Sequence, residues 1–257
     1  MQNFDGIPLL VFFVLVIGFS LLSVECGYLL GERQRKTGRK EPESPISAIV
    51  ASTLGLLAFL LAFTFNMAAS RFDDRREAVL NEANAIGTAY LRADFLEEPL
   101  KSRVKKLFRD YLDTRTLVAT TEKSSAELIK KSESIQNELW TLAVIAGKNH
   151  DSPISGLFVS ALNQVIDMHS VRVSARFYAR VPAVIWVCLL TVAVLSMIGV
   201  GYYCGLAGSR SWSETIILVT AFSIVIVLVA DLDRPSQGLL RTPQQPLQDL
   251  RHSIASP

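Results

Sequence analysis

Four apolar runs dominate the chain, at about Ile7 to Leu30, Pro45 to Ala69, Val181 to Ala207 and Thr215 to Ala230. Each is long enough, or nearly so, to cross a hydrocarbon layer of about 30 Å. A water-soluble domain has no use for repeated runs of that length. A lipid-spanning segment must satisfy every backbone polar group internally, so the runs predict four transmembrane helices. The fourth is the shortest, but Ile216 to Val219 and Ile224 to Val229 are almost wholly aliphatic.

Composition agrees: 50% of the 257 residues are hydrophobic and 19% charged. The 26 basic and 24 acidic residues leave a net charge of +2. That balance excludes the concentrated basic excess of a nucleic-acid binder. Cys26, Cys188 and Cys204 all fall inside apolar runs, away from any polar segment suited to a disulfide framework or thiolate metal site, and read as small buried hydrophobes. The N-terminal MQNFD carries no basic residue, unlike a secretory signal peptide, so the first run is expected to stay in the protein.

Between the second and third runs lie about 110 residues of helix-forming, charge-rich sequence. Phe72, Val79, Ala83, Ile86 and Tyr90 fall on one helical stripe with only Gly87 as an interruption, so the second membrane helix is expected to continue out of the bilayer. Leu100, Val104, Leu107 and Tyr111 mark the next helix, which begins near Pro99. Leu128, Ile135, Leu139, Leu142 and Ala146 mark another. A turn is predicted over Gly147 to Asp151, with Ser152 as N-cap and Pro153 as first helical residue. Ile154, Leu157, Phe158, Ala161, Val165 and Met168 define the helix that follows, running toward Pro182. The expected fold is an all-α integral membrane protein with four spans and a helical extramembrane bundle inserted between the second and third. Residues 1–70 hold two spans and a basic hairpin loop, 71–180 the bundle, 181–230 two further spans and 231–257 a tail.

Four spans place the bundle, Pro182 and the tail on one side of the membrane. The hairpin at 31–44 carries five basic residues and the stretch before the first span none, so the positive-inside rule favours a cytoplasmic hairpin. Arg71, Arg75, Arg76, Arg172, Arg176 and Arg180 on the bundle side pull the other way.

Several constellations stand out. Glu25, at the edge of the first span, is costly in hydrocarbon unless solvated or paired; it either lines an ion path or pairs with Arg33 or Arg35. Gly27 with Gly31, and Gly201 with Gly205, form small-xxx-small patterns that allow close helix packing. Ala48, Ser52, Gly55, Ala58 and Ala62 continue the theme. Asn66, Arg71, Asp73, Asp74, Arg75, Arg76, Glu77, Glu82 and Asn84 make a collar beyond the second span. They either pair within their helix or ring a pore mouth. His169, Arg172, Arg176 and Arg180 form a basic stripe that could join Asp231, Asp233 and Arg234 in an ion-pair lattice, with His169 read as a structural hydrogen-bonding residue. The sequence contains no HExxH, GxSxG, Walker lysine loop, CxxC or dinucleotide fingerprint, so no catalytic residues, metal ligands or cofactors are assigned.

These segments also carry a resemblance: ECGYLLG at 25–31, FNMAASRFDDRR at 65–76, EANAIGTAYLR at 82–92, NQVID at 163–167, RVSAR at 172–176, LDRPSQG at 232–238 and QPLQDL at 245–250. The chain resembles the bestrophin-like domain family of bacterial membrane proteins over nearly its whole length. Similarity to bestrophins implies an oligomeric anion channel whose pore runs through the membrane helices into the helical domain. The chain lacks a clustered acidic loop like the bestrophin calcium clasp, and no apolar neck motif aligns position by position.

The expected function is a bestrophin-like homo-oligomeric channel for small ions, anions foremost, in a bacterial inner membrane. Its partners are the lipid bilayer, small inorganic ions and further copies, not nucleic acid. Glu25, Asn66, Arg71, Asp73, Arg75, Arg76, Arg172, Arg176, Asp231, Asp233 and Arg234 are the mouth charges or lattice. Gly27, Gly31, Gly201 and Gly205 are the packing residues. The alternative is a membrane-anchored sensor or scaffold whose bundle binds another protein.

Overall fold

The computed structural model describes residues 7–37, 43–120, 125–149, 153–177, 179–235 and 238–255. The described residues are almost all helical: α1 (Leu9–Lys36), α2 (Glu43–Arg92), α3 (Leu100–Thr120), α4 (Ser125–Asn149), α5 (Pro153–Phe177), α6 (Ala183–Ala207), α7 (Trp212–Asp233) and α8 (Gln245–Ala255), with a short 3₁₀ turn at Ala93–Phe95. They form two compact units, one from Met1–Arg71 with Arg180–Leu240, the other from Phe72–Ala179 with Arg241–Pro257.

Among the described residues four helices, α1, α2, α6 and α7, are long and apolar enough to cross a membrane; the first unit holds α1, α6, α7 and the part of α2 up to Arg71. α1 and α7 extend beyond the predicted runs because polar residues at their ends continue the helices, whereas α6 begins just after Pro182, two residues inside its run, and ends with it at Ala207. Its tightest contact is between α1 and α6. A Cβ added at Gly27 would lie 2.0 Å from the Ile198 carbonyl oxygen, and one at Gly201 would lie 1.9 Å from that of Val24. Gly31 and Gly205 meet Tyr202 and Tyr28 in the same way, at 2.2 and 2.3 Å. Glycine is needed here because backbone touches backbone. Ser196 Oγ donates to the Thr53 carbonyl at 3.2 Å, linking α6 to α2.

The cysteines correct the sequence reading. Cys26 and Cys188 are exposed and Cys204 half-buried. The buried residues of α1 include Val24, Gly27 and Gly31, and those of α6 include Trp186, Leu189 and Ala193, so Cys26 and Cys188 lie off the packed faces.

The second unit is a helical bundle built from the outer part of α2 with α3, α4, α5 and α8. Val79, Ala83 and Ile86 of α2 pack with Val104, Phe108 and Leu112 of α3, Leu139 and Leu142 of α4, and Phe158, Leu162 and Val165 of α5. α2 passes through Gly87 unbroken, and a Cβ there would stand 3.3 Å from Leu250 of α8. Within the sequence stripes, Leu128 is only half-buried and Leu157 is 48% exposed. The buried stripe of α5 instead runs through Phe158, Ala161, Leu162 and Val165. The turn expected at Gly147 is absent because α4 continues to Asn149; the rest of that turn and the Ser152 cap lie outside the described residues. Pro153 opens α5.

The tail after residue 240 contributes α8. Leu247 is fully buried, and Leu250 and Ile254 pack against the same core. Their spacing puts one apolar face onto the bundle.

Candidate functional site

The second unit encloses a polar cluster in its apolar core. On α2, Glu82 falls among buried Val79, Ala83 and Ile86, so the register that buries them buries the carboxylate. On α3, Arg115 follows Tyr111 by four residues and Phe108 by seven, on the same buried face. On α5, His169 and Arg172 continue the face that begins with Phe158 and Val165. Glu82 is 0% exposed, Arg115 1% and Arg172 8%.

The cluster is densely hydrogen-bonded. Arg115 grips the carboxylate along one edge, Nε donating to Oε1 at 2.7 Å and Nη2 to Oε2 at 3.2 Å. Arg172 Nη1 donates to Oε2 and its Nη2 to Gln244 Oε1 at 2.6 Å. Tyr111 Oη donates to Glu82 Oε1 at 3.1 Å and accepts from Gln136 Nε2 at 3.0 Å. Its remaining neighbour is His169 Nδ1 at 3.2 Å. The single tyrosine hydrogen is committed to a carboxylate that can only accept, so the hydrogen between Tyr111 and His169 sits on Nδ1. His169 therefore has the hydrogen-bonding role expected from the sequence.

These contacts set the charges. Burial pushes the Glu82 carboxyl up, but Arg172 and Arg115 against it hold it down at about 2. Burial and the nearby Arg115 guanidinium bring His169 down to about 4, leaving the ring neutral at pH 7. Burial and the Glu82 charge push the Tyr111 hydroxyl far up, so it remains a donor.

The residues singled out in the sequence are distributed differently. Glu25 pairs with Arg210 Nη2 at 2.6 Å, not with Arg33 or Arg35, and Arg210 also lies over the Tyr28 and Trp212 rings, at 4.9 and 4.5 Å. The reason is geometric: Arg210, just before α7, comes back onto this part of α1. Asn66, Asp73 and Arg76 are exposed and Arg71 is half-buried. Arg75 is buried on the opposite face of α2, with Nη1 donating to the Ala179 carbonyl at 3.3 Å and the guanidinium 6.0 Å from the Phe72 ring. Asp73, Arg76 and Glu77 line a groove of about 440 Å³ with Leu80, Pro243, Gln245 and Pro246.

Arg172 leaves the expected basic stripe for the core, whereas Arg176 is half-buried, 5.9 Å from the Phe177 ring. Asp231 accepts from the backbone N–H groups of Leu239 and Leu240 at 3.0 and 3.1 Å. Gly238, with φ 130°, lets the chain approach, since a Cβ would lie 1.8 Å from Asp231 Oδ1. Asp233 accepts from Val181 N–H at 2.7 Å, and Arg234 lies 6.0 Å from the Phe12 ring. These two carboxylates thus hold the segments flanking the last two spans. Among the described residues, no group of three His, Cys, Asp or Glu is placed to hold a metal ion.

The sequence reading missed Arg115, Tyr111 as a polar centre, Gln136 and Gln244, and noted Glu82 only as part of the collar. A readable signal was present: Glu82 and Arg115 interrupt otherwise apolar stripes, and a charge on a buried stripe requires a partner.

The sequence profile of the bestrophin-like domain matches residues 17–247. The chain belongs to the bestrophin-like domain family. Solved structures share its fold. A bacterial bestrophin homologue from Klebsiella pneumoniae carrying one substitution superimposes with a TM-score of 0.68 at 14% identity, covering 96% of this chain and 97% of that one. Another structure of a Klebsiella pneumoniae homologue, phased with zinc, gives 0.64 at 14% identity over 95% and 94%. A crystal structure described as a membrane protein variant gives 0.66 at 13% identity over 96% and 97%. No curated protein matches the sequence. This bestrophin-like chain is therefore an all-α integral membrane protein with the bestrophin fold.

Proposed function

We propose that the bestrophin-like chain assembles with copies of itself into a channel for small inorganic ions, anions foremost, in a bacterial inner membrane. The observation that carries this reading is the surface of α2. Of the four membrane helices it is the least covered by its own chain, with 11% of its apolar stretch buried against 44% for α7. A helix facing lipid alone has no need of a polar stripe. On α2, Phe59, Phe63, Asn66 and Ser70 recur at exposed positions three or four residues apart, as do Asp73, Glu77, Asn81 and Asn84 farther along. Copies arranged around an axis would turn the two phenylalanines into apolar rings that pass ions when wetted, and the polar residues into rings that concentrate them.

The bestrophin resemblance supports anions, as do Arg71 and Arg76 beside the stripe. A second reading has its own observation: the charges on the stripe itself are Asp73 and Glu77, which favour cations. Liposome flux with purified protein tests the proposal. Selective flux, altered by Phe59→Ala and Phe63→Ala, supports a channel. Absence of flux from verified oligomer across pH, calcium and voltage would overturn it in favour of a sensor or scaffold, with exposed Trp140, Val144 and Ile145 of α4 as its contact surface.

A further inference from the structure

The charges of the Glu82 cluster, sealed inside the second unit, do not cancel. Glu82 contributes one negative charge and Arg115 and Arg172 one positive charge each, while His169 is neutral. Among the described residues of this unit, Glu82 is the only buried carboxylate. A buried ion without a counter-charge is costly, and a buried donor without an acceptor adds to that cost.

Within the cluster, the hydrogen bonds place the uncompensated part at one atom. Glu82 engages Arg115 through Nε and Nη2, so Nη1 lies at the end of the guanidinium turned away from the carboxylate. Nη1 is buried and has no hydrogen-bond partner among the described residues. Arg172 differs, because it spends one nitrogen on Glu82 and another on Gln244. His169 Nε2 is also buried without a partner, but with the ring hydrogen on Nδ1 it offers a lone pair and attracts no anion.

We propose that the second unit contains an internal site for a small monovalent anion of halide size, held at Nη1 of Arg115 and balancing the second arginine of the Glu82 cluster. The burial of Arg115 sets the size limit, since a large oxyanion would have to open the core to reach it. The site belongs to each chain separately and does not depend on the channel reading.

The test uses the full chain in detergent at constant ionic strength, with gluconate replaced stepwise by chloride or bromide. Thermal stability should rise saturably with halide, as for any ligand bound by the folded state alone. Crystals grown in bromide should show one anomalous peak beside Arg115 Nη1 in every chain. Arg115→Gln keeps the Glu82–Arg172 pair and removes the excess charge, so its stability should no longer respond to halide. Arg251→Gln, which removes an exposed pair with Asp113, should retain the response. A wild-type protein indifferent to halide, a response that survives Arg115→Gln, or bromide crystals with only water at that position would each overturn the proposal. Should Arg115→Gln fail to fold, the bromide peak in the wild type decides.

Discussion

Glu82 of α2 and Arg172 of α5 stand 90 positions apart in the chain and share a hydrogen bond inside the second unit. Because Arg115 holds the same carboxylate, one side chain fastens three helices. Glu82→Gln would leave two arginines buried with no negative partner. Breaking a buried pair from one side costs about 3–5 kcal/mol, so this variant should melt far below the wild type or fail to fold. Arg251→Ala, at an exposed pair, should barely move the midpoint. Thermal unfolding of the two variants in the same detergent makes the comparison.

Acid should weaken the second unit in two stages. Between about pH 6.5 and 4 the unfolded chain protonates His169 while the folded chain, with the ring buried beside Arg115, does not. The unfolded state then binds more protons, so stability falls as pH falls. Glu82 acts with the same sign lower down: its contribution is complete above its ordinary value of 4.5 and is lost as pH falls toward about 2. His169→Asn keeps a donor for Tyr111 and removes the ring titration. Its stability should lose the upper stage and retain the lower, read from melting midpoints across pH.

The glycine contact between α1 and α6 predicts a sharp positional contrast. Gly27→Ala and Gly201→Ala force a methyl against a carbonyl oxygen, and overpacking of this kind typically costs about 1–3 kcal/mol. Gly18→Ala and Gly55→Ala meet nothing within 4 Å and should be tolerated. Melting midpoints and size-exclusion profiles in detergent would separate the two pairs.

On the proposed channel reading, the sign of the conducted ion is tested residue by residue. Asp73→Asn with Glu77→Gln should shift the reversal potential toward anions, and Arg71→Gln with Arg76→Gln toward cations. Arg75→Gln belongs to neither set: its guanidinium is buried against the Ala179 carbonyl, so the expected change is lower stability with little change in selectivity. Reversal potentials in asymmetric salt, with melting curves alongside, distinguish these outcomes.

The spans were legible because an apolar run of membrane length has few other uses, and the continuation of α2 beyond the bilayer was legible in the spacing of Val79, Ala83, Ile86 and Tyr90. The polar cluster was much less so. Arg115 lies in KKLFRDYLDTRTL, where charges are common, and only its place four residues after Tyr111 marks it as buried. Its partner is 33 positions away, a distance that helical periodicity does not reach. Glu25 shows the same limit, since the nearest arginines in sequence are not its partner. α8 was hidden by composition. Three prolines and several glutamines left the order of this tail open, while Leu247, Leu250 and Ile254 already carried helical spacing.

α8 and the residue before it also fix the order in which the protein can be completed. Gln244, Leu247, Leu250 and Ile254 follow all four membrane helices in the chain, yet they close the core of a unit begun at Phe72. Until those residues are made, Arg172 lacks its Gln244 acceptor and the apolar face of the bundle lacks its cover. A chain halted after α7 would hold all four membrane helices and an unfinished second unit, an exposed, arginine-bearing core of the kind that proteases remove. Completion of the second unit thus waits on synthesis beyond the last membrane helix, and α8 serves as a check that this much of the chain was made.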